Sequence, residues 1–127
     1  MKSVVISGST KFSKEIKKFA NELRKLGVKV YEPVYDWGAD EWDSLSLSVK
    51  SSVTKGLTYD HFEKIKKADL VFIYNKNGYV GNSTTLELGF AVALSKIVIA
   101  FHSDEEIFRN ELYEGFANTP KKLLEFL

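Results

Sequence analysis

Glu87 is the residue of this sequence best placed to do chemistry. It is the only charged residue in the apolar stretch 86–94, and no residue one helical turn away from it can form an ion pair. A carboxylate among apolar side chains must face water, a ligand or a partner from elsewhere in the fold. Because Glu87 also lies near the start of a predicted helix, the helix dipole favours its ionised form. This combination favours a nucleophile over a proton donor; the structural alternative is a helix cap or the partner of a lysine from another element.

Two loops rich in Gly and Ser are candidate binding segments. Residues 7–13 follow the predicted first strand, and residues 78–83 precede the helix that carries Glu87. Both loops run into a helix N-terminus, a common way of holding phosphate or another anion. The predicted substrate-binding residues are Ser7, Gly8, Ser9, Thr10, Lys11, Phe12, Gly81, Asn82 and Ser83.

The hydrophobic pattern predicts the elements that position these loops. Apolar runs predict strands near residues 4–6, 28–32, 69–75 and 96–101, and helical periodicity predicts helices near 14–26, 58–68, 83–95, 103–116 and 121–127. This alternation implies a single α/β domain spanning residues 1–127, doubly wound in the Rossmann-like or flavodoxin-like manner. We expect a parallel sheet of four or five strands in an order near 2-1-3-4, with both Gly/Ser loops at the carboxyl edge where ligands bind.

The least regular segment is 34–57, which contains Trp37 and Trp42 among acidic residues. We predict a short helix capped by Asp43 and ended at Gly56. A connection of this length is typical of a lid or binding loop. The tryptophans could stack on a base or sugar, or fill a satellite core; the sequence leaves both interpretations open.

Composition excludes several classes of function. The 127 residues carry 18 basic and 17 acidic side chains, so the sequence shows no electrostatic footprint for nucleic acid or a membrane surface. There is no cysteine, and neither histidine has a ligand partner nearby in sequence, so we predict no metal and no cofactor. The dinucleotide fingerprint, the Walker A loop and the Gly-x-Ser-x-Gly elbow are all absent from the sequence. The start of the chain suits a first strand rather than a signal peptide, so we expect a soluble, cytoplasmic protein.

The sequence resembles the nucleoside 2-deoxyribosyltransferase superfamily, which includes nucleoside 5′-monophosphate N-glycosidases. The resemblance depends on Ser7-Gly8-Ser9, on Ala68-Asp69, and mainly on the string Gly-Asn-Ser-Thr-Thr-Leu-Glu-Leu-Gly-Phe-Ala at 81–91 with Ala-Leu-Ser-Lys at 93–96. It implies a doubly wound α/β fold, a nucleoside or nucleotide substrate, and sites that often borrow residues from a neighbouring subunit. It also implies that Glu87 attacks the anomeric carbon of the sugar.

Two positions depart from the family pattern. Many members carry an Asp where this sequence has His61, next to Asp60, and the deoxyribosyltransferases proper often carry another where it has Gly81. In the family those carboxylates protonate the leaving base and orient the sugar. Because both are replaced here, we expect hydrolysis as much as base exchange. His61 is either a replacement acid or a surface or N-terminal helix residue.

The sequence therefore predicts cleavage or transfer at an N-glycosidic bond through a covalent glycosyl-Glu87 intermediate, with His61 and Asp60 as further catalytic candidates. A nucleotide-binding or sensing module without turnover is the alternative, and a flavodoxin-like or receiver-like domain is a weaker third class. We also expect a homodimer or larger homo-oligomer, on the basis of apolar residues near the C-terminus.

Overall fold

The computed structural model describes residues 1–34 and 39–127, which form an α/β domain around one parallel sheet. The strands are β1 (Ser3–Gly8), β2 (Lys29–Tyr31), β3 (Leu70–Tyr74), β4 (Ile97–Ala100) and β5 (Gly115–Phe116). The helices are α1 (Ser13–Lys25), α2 (Ala39–Ser44), α3 (Leu47–Lys67), α4 (Asn82–Ala93), α5 (Ile107–Asn110) and α6 (Pro120–Leu124), with 3-10 turns at Thr10–Phe12 and Lys76–Gly78.

The strand order is β2-β1-β3-β4-β5 and every pairing is parallel. This order confirms the predicted doubly wound fold. β1 and β3 are neighbours in the middle of the sheet, and their last residues, Gly8 and Tyr74, pair with each other. The two Gly/Ser loops therefore leave the sheet side by side at its carboxyl edge.

Each face of the sheet is covered by a separate apolar layer. On one face α1 and α6 pack on residues such as Phe72, whose ring stacks on Phe19 at 4.8 Å between centroids. On the other face α3 and α4 pack through Ile65, Leu88 and Ala91. No helix within residues 1–34 and 39–127 is long and apolar enough to cross a membrane.

The predicted break at Gly56 is wrong, because α3 runs without interruption through this residue. Ser46, not Asp43, caps α3, and its hydroxyl accepts a hydrogen bond from the amide of Val49. A glycine weakens a helix by only about 1 kcal/mol, which packing of the rest of the helix offsets. Trp42 lies half-buried in α2, whereas the prediction for Trp37 falls outside the described residues.

The single helix predicted over 103–116 is also wrong. A buried aspartate, Asp104, accepts hydrogen bonds from Arg109 and from the Tyr113 hydroxyl. These bonds fold the segment back on itself, so α5 is short and the chain then adds β5 to the sheet. A side-chain network of this kind leaves no periodic signal in the sequence.

Gly8 is held where no side chain fits. A Cβ atom at this position would lie 2.8 Å from the Ile16 Cδ1 atom and 3.0 Å from the carbonyl oxygen of Tyr74. We predict that Gly8→Ala lowers the free energy of unfolding by about 1–3 kcal/mol, because the backbone carbonyl cannot move aside easily. Urea denaturation measures this loss.

Gly56→Ala is the matched control for Gly8→Ala. A Cβ at Gly56 has no neighbour within 4 Å, and the residue lies inside α3. This variant should gain about 0.5–1 kcal/mol from the better helix propensity of alanine. Equal effects of the two substitutions would contradict the steric explanation.

Candidate active site

Three polar side chains meet at the carboxyl edge of the sheet. The Ser7 Oγ lies 2.8 Å from His61 Nε2, and His61 Nε2 lies 3.8 Å from Glu87 Oε1. The Ser7 hydroxyl also faces the Glu87 carboxylate, and as a hydrogen-bond donor it lowers the pKa of that carboxyl. Ser7 is the last residue but one of β1, whereas the other two residues come from different helices, so the fold assembles the group from β1, α3 and α4.

Local periodicity explains why these side chains converge. Ser7 follows Val5 by two residues in β1, so the two side chains share a face of the sheet. His61 precedes the core residue Ile65 by one helical turn, and Glu87 precedes Ala91 in the same way. Val5, Ile65 and Ala91 all belong to the core layer beneath α3 and α4. Each polar residue therefore lies on the same face of its element as a core residue, one strand or helix period closer to the carboxyl edge of the sheet.

Burial dominates the electrostatics of Glu87. Its side chain is 14% exposed, and desolvation raises the pKa of the carboxyl from 4.5 to about 7, although the hydrogen bond from Ser7 acts in the opposite direction. Burial thus outweighs the effect of the helix N-terminus, and Glu87 is a weaker acid than its place in α4 alone predicts.

His61 is buried inside the fold rather than lying at the surface or at a helix N-terminus. Burial, reinforced by the charge of Lys64 and opposed by that of Asp60, lowers the pKa of His61 from 6.5 to about 4. The imidazole is therefore neutral at physiological pH. Its contact with Glu87 is not an ion pair under those conditions.

A cavity of about 200 Å³ opens beside this group. It is lined by Gly8, Thr10, Pro33, Val34, Thr54, Leu57, Thr58, Asp60, His61, Ser83 and Glu87. All three predicted catalytic residues belong to this lining, together with three of the nine predicted substrate-binding residues. The cavity therefore joins the ends of both Gly/Ser loops to one wall of α3.

The other predicted binding residues have local roles in the structure. Ser7 lies buried behind the cavity, and Phe12 is part of the core, with its ring 5.5 Å from that of Tyr74. Ser9 caps the first 3-10 turn by accepting a hydrogen bond from the amide of Lys11. The Lys11 ammonium lies 3.6 Å from the centre of the Tyr79 ring, so the two loops touch each other.

The start of α4 differs slightly from the prediction. Gly81 is the N-cap of this helix and Asn82 is its first residue, so Ser83 lies inside the first turn instead of capping it. Ser83 nevertheless lines the cavity. The first turn of α4 therefore borders the cavity.

The sequence did not single out the wall of the cavity that α3 supplies. Thr54, Leu57 and Thr58 precede His61 by seven, four and three residues, so they lie on the same helical face. This spacing is a usable signal, but only once α3 is known to be continuous and His61 is known to face the site.

Asp60 is the second carboxylate of the cavity, and it pairs with Lys64 at 2.9 Å. Within the part of the chain that the structure describes, no three His, Asp or Glu side chains converge as the ligands of a metal would. The polar chemistry offered by the described lining is therefore that of carboxylates, an imidazole, hydroxyls and helix amides.

Comparison with known proteins identifies the family. The sequence model described as nucleoside 2-deoxyribosyltransferase matches residues 6–121, which is most of the chain. This protein belongs to the nucleoside 2-deoxyribosyltransferase family. Membership supports activity of the nucleoside 2-deoxyribosyltransferase type.

Solved structures show the same fold at low sequence identity. A conserved protein from Enterococcus faecalis V583 is 14% identical, with a TM-score of 0.68 over 98% of this chain and 96% of its own. A 2-deoxyribosyltransferase from the psychrotolerant bacterium Bacillus psychrosaccharolyticus is 18% identical, with a TM-score of 0.66 over 95% of this chain and 89% of its own. Among curated proteins no sequence matches this chain significantly.

Proposed function

We propose that the protein cleaves the N-glycosidic bond of a nucleoside or nucleoside 5′-monophosphate, with Glu87 as the nucleophile. A Glu87 carboxylate oxygen forms a bond to the anomeric carbon while the bond from that carbon to the base nitrogen breaks. The base leaves with the electron pair and takes up a proton. Water or a second base then displaces Glu87, so the product keeps the starting configuration.

One observation carries this proposal: a buried carboxylate, Glu87, lines the cavity and lies 3.8 Å from His61 Nε2, next to Ser7. Burial makes the ionised carboxylate more reactive, because water does not stabilise it. An ionised carboxylate can only accept hydrogen bonds, so the Ser7 hydroxyl acts as the donor toward Glu87. A donor of this kind favours the ionised form of the carboxyl. The arrangement therefore supports a nucleophile that is available near neutral pH.

Asp60 is better suited than His61 to assist the leaving base. His61 is neutral above pH 4, so it holds no excess proton to give away. Asp60 lies in the cavity lining and pairs with Lys64 at 2.9 Å. We assign Asp60 to hold a sugar hydroxyl, or a water molecule that protonates the base.

The N-terminus of α4 and the first loop are the proposed anchor for the rest of the substrate. Thr10 and Ser83 line the cavity and can bind sugar hydroxyls or a 5′-phosphate. Asn82 begins α4 next to them. Lys11 would provide a point charge for a phosphate after leaving the Tyr79 ring.

A substrate panel tests the proposed function. Nucleosides and their 5′-monophosphates, each incubated with the protein, should release free base that chromatography detects. Adding a second base distinguishes transfer, which yields a new nucleoside, from hydrolysis, which does not. If no compound is cleaved but calorimetry detects binding, the protein is instead a nucleotide-binding module, the alternative favoured by the departures at His61 and Gly81.

The pH profile is the second test. Glu87 must be ionised to attack, and burial raises its pKa to about 7. We therefore expect kcat/KM to fall about tenfold for each pH unit below pH 7 and to level off above it. A profile that is flat between pH 5 and 8 would contradict Glu87 as the ionising nucleophile.

We also propose that the protein is a homodimer or a larger homo-oligomer, but through α4 rather than the C-terminus. Leu123 is buried, and Leu124 and Leu127 pack against the core, so of the C-terminal apolar residues only Phe116 and Phe126 are exposed among the described residues. In contrast, Leu86 on the outer face of α4 and Leu94, the C-cap of this helix, are both exposed. A helix that is apolar all round is usually covered.

Sedimentation at micromolar concentration should therefore show a dimer or larger species. Leu94→Glu should shift it toward monomer, because a charge would enter the apolar contact. Leu26→Glu is the control, since Leu26 is equally exposed, at 41%, but belongs to the opposite layer. A wild-type protein that is monomeric would contradict the proposal.

A further inference from the structure

We propose that His61 is a positioning residue: as a neutral Nε2–H donor to Ser7, it directs the single hydroxyl proton of Ser7 onto Glu87. This inference rests on the proposed function, in which Glu87 is the nucleophile. It assigns His61 a task other than that of an acid, and it makes Ser7 the connection between the two residues.

The geometry allows two proton arrangements in this group. The Ser7 Oγ lies 2.8 Å from His61 Nε2, and His61 Nε2 lies 3.8 Å from Glu87 Oε1, so the three groups converge. Ser7 also acts as a hydrogen-bond donor toward the Glu87 carboxylate, but it has only one proton to donate. If His61 carries its proton on Nε2, that proton goes to Ser7 and the Ser7 proton goes to Glu87. If His61 carries it on Nδ1, the Ser7 proton turns toward Nε2 and Glu87 loses its donor.

Ionised Glu87 selects the first arrangement. A carboxylate without a proton can only accept, so a serine oxygen that turned its own proton away would face it with lone pairs. A donated hydrogen bond to a charged group stabilises more than one between neutral groups. The Nε2–H tautomer of His61 and the ionised form of Glu87 therefore favour each other.

The charges around His61 are consistent with a neutral donor. Lys64 and Asp60 lie on its own helix, and Ser7 and Glu87 face it from β1 and α4. A carboxylate in place of His61 would lie close to Glu87 and oppose its ionisation by like-charge repulsion. The imidazole instead supplies a donor to Ser7 without adding a negative charge to the site.

The tautomer of the wild-type protein gives a direct test that needs no substrate and no mutation. At pH 8 the ¹⁵N chemical shifts of the His61 ring should show a protonated Nε2 and an unprotonated Nδ1. The opposite tautomer would overturn the proposal, because Ser7 would then donate to His61. This outcome does not depend on whether the protein cleaves nucleosides.

Variants test whether the effect reaches Glu87 through Ser7. In His61→Leu the Ser7 hydroxyl loses the donor that orients and polarises it, so it becomes a weaker donor to Glu87. The pKa of Glu87, followed by ¹³C NMR of its carboxyl carbon, should therefore rise by about one pH unit. His61→Gln retains an amide donor and should restore most of the wild-type value. In a Ser7→Ala background, adding His61→Leu should produce a much smaller rise. Equal rises with and without Ser7 would overturn the proposal.

Kinetics provide a third measurement if the panel identifies a substrate. His61→Leu should move the acid limb of kcat/KM to higher pH by the same amount, so that its loss of activity is larger at pH 6 than at pH 9. A loss that is equal at every pH would contradict a positioning role through Glu87. Absence of any turnover in the wild type would refute the proposed function, yet the tautomer and the titration of Glu87 would still decide the role of His61.

Discussion

Glu87→Gln is expected to reduce the rate of base release by at least about a thousandfold, because it removes the covalent nucleophile. Glutamine has nearly the same shape as glutamate, so it can stay beside Ser7 and His61. It is neutral and a far weaker nucleophile, so no glycosyl bond to residue 87 should form. Chromatography of the free base measures the rate, and mass spectrometry of acid-quenched protein detects the sugar adduct in the wild type alone.

Glu63→Gln is the control for this experiment. It makes the same chemical change on α3, but Glu63 is exposed and forms an ion pair with Lys66 at the surface. Its base release should equal that of the wild type. A Glu87→Gln protein that keeps turnover within tenfold of wild type would end the assignment of Glu87 as nucleophile.

The same substitution should make the protein more stable, and the gain should depend on pH. In the folded protein the pKa of Glu87 is about 7, compared with an ordinary value of 4.5. The folded state therefore retains a proton that the unfolded state has already lost, and stability falls as pH rises through this window. Glutamine does not ionise, so Glu87→Gln should gain roughly 3 kcal/mol above pH 7 and little below pH 4.5.

His61 has the opposite dependence, but it does not disturb this comparison. Its pKa is lowered from 6.5 to about 4, so its contribution to stability is lost as pH falls through that range. This loss of stability occurs in both the wild type and Glu87→Gln. It therefore cancels when the free energy of unfolding of one protein is subtracted from that of the other. Urea denaturation of both at pH 4.5, 6 and 8 measures the gain. A gain that is the same at all three pH values would contradict desolvation of Glu87 as its cause.

The parts of this fold that repeat with a regular period could be predicted from sequence. Buried runs such as Leu70–Tyr74 and the amphipathic α1 have clear periods, and their alternation leads directly to a parallel sheet. Glu87 was found because a charge on an apolar helix breaks the local pattern. These signals lie within one element each, so they need no knowledge of its neighbours.

The remainder depended on contacts between distant residues. The 54-residue separation of Ser7 and His61 leaves no trace in the sequence around either one. Likewise, burial of Glu87 by other elements decides its pKa, whereas sequence alone shows only its place near a helix start. The short β5 follows from the contacts of Asp104. In each case tertiary structure overrides a local preference.

The continuity of α3 has a consequence for how new substrates could arise. One face of this helix forms the wall with Thr54, Leu57 and Thr58, whereas Ser7 and Glu87 come from β1 and α4. Substitutions on that wall can therefore reshape the cavity without moving the carboxylate. Under the proposed function the nucleophile lies on a different element from this wall, although His61 and Asp60 follow the wall on α3. A combinatorial library limited to positions 54, 57 and 58 can therefore explore different bases while Glu87 and its neighbours stay fixed.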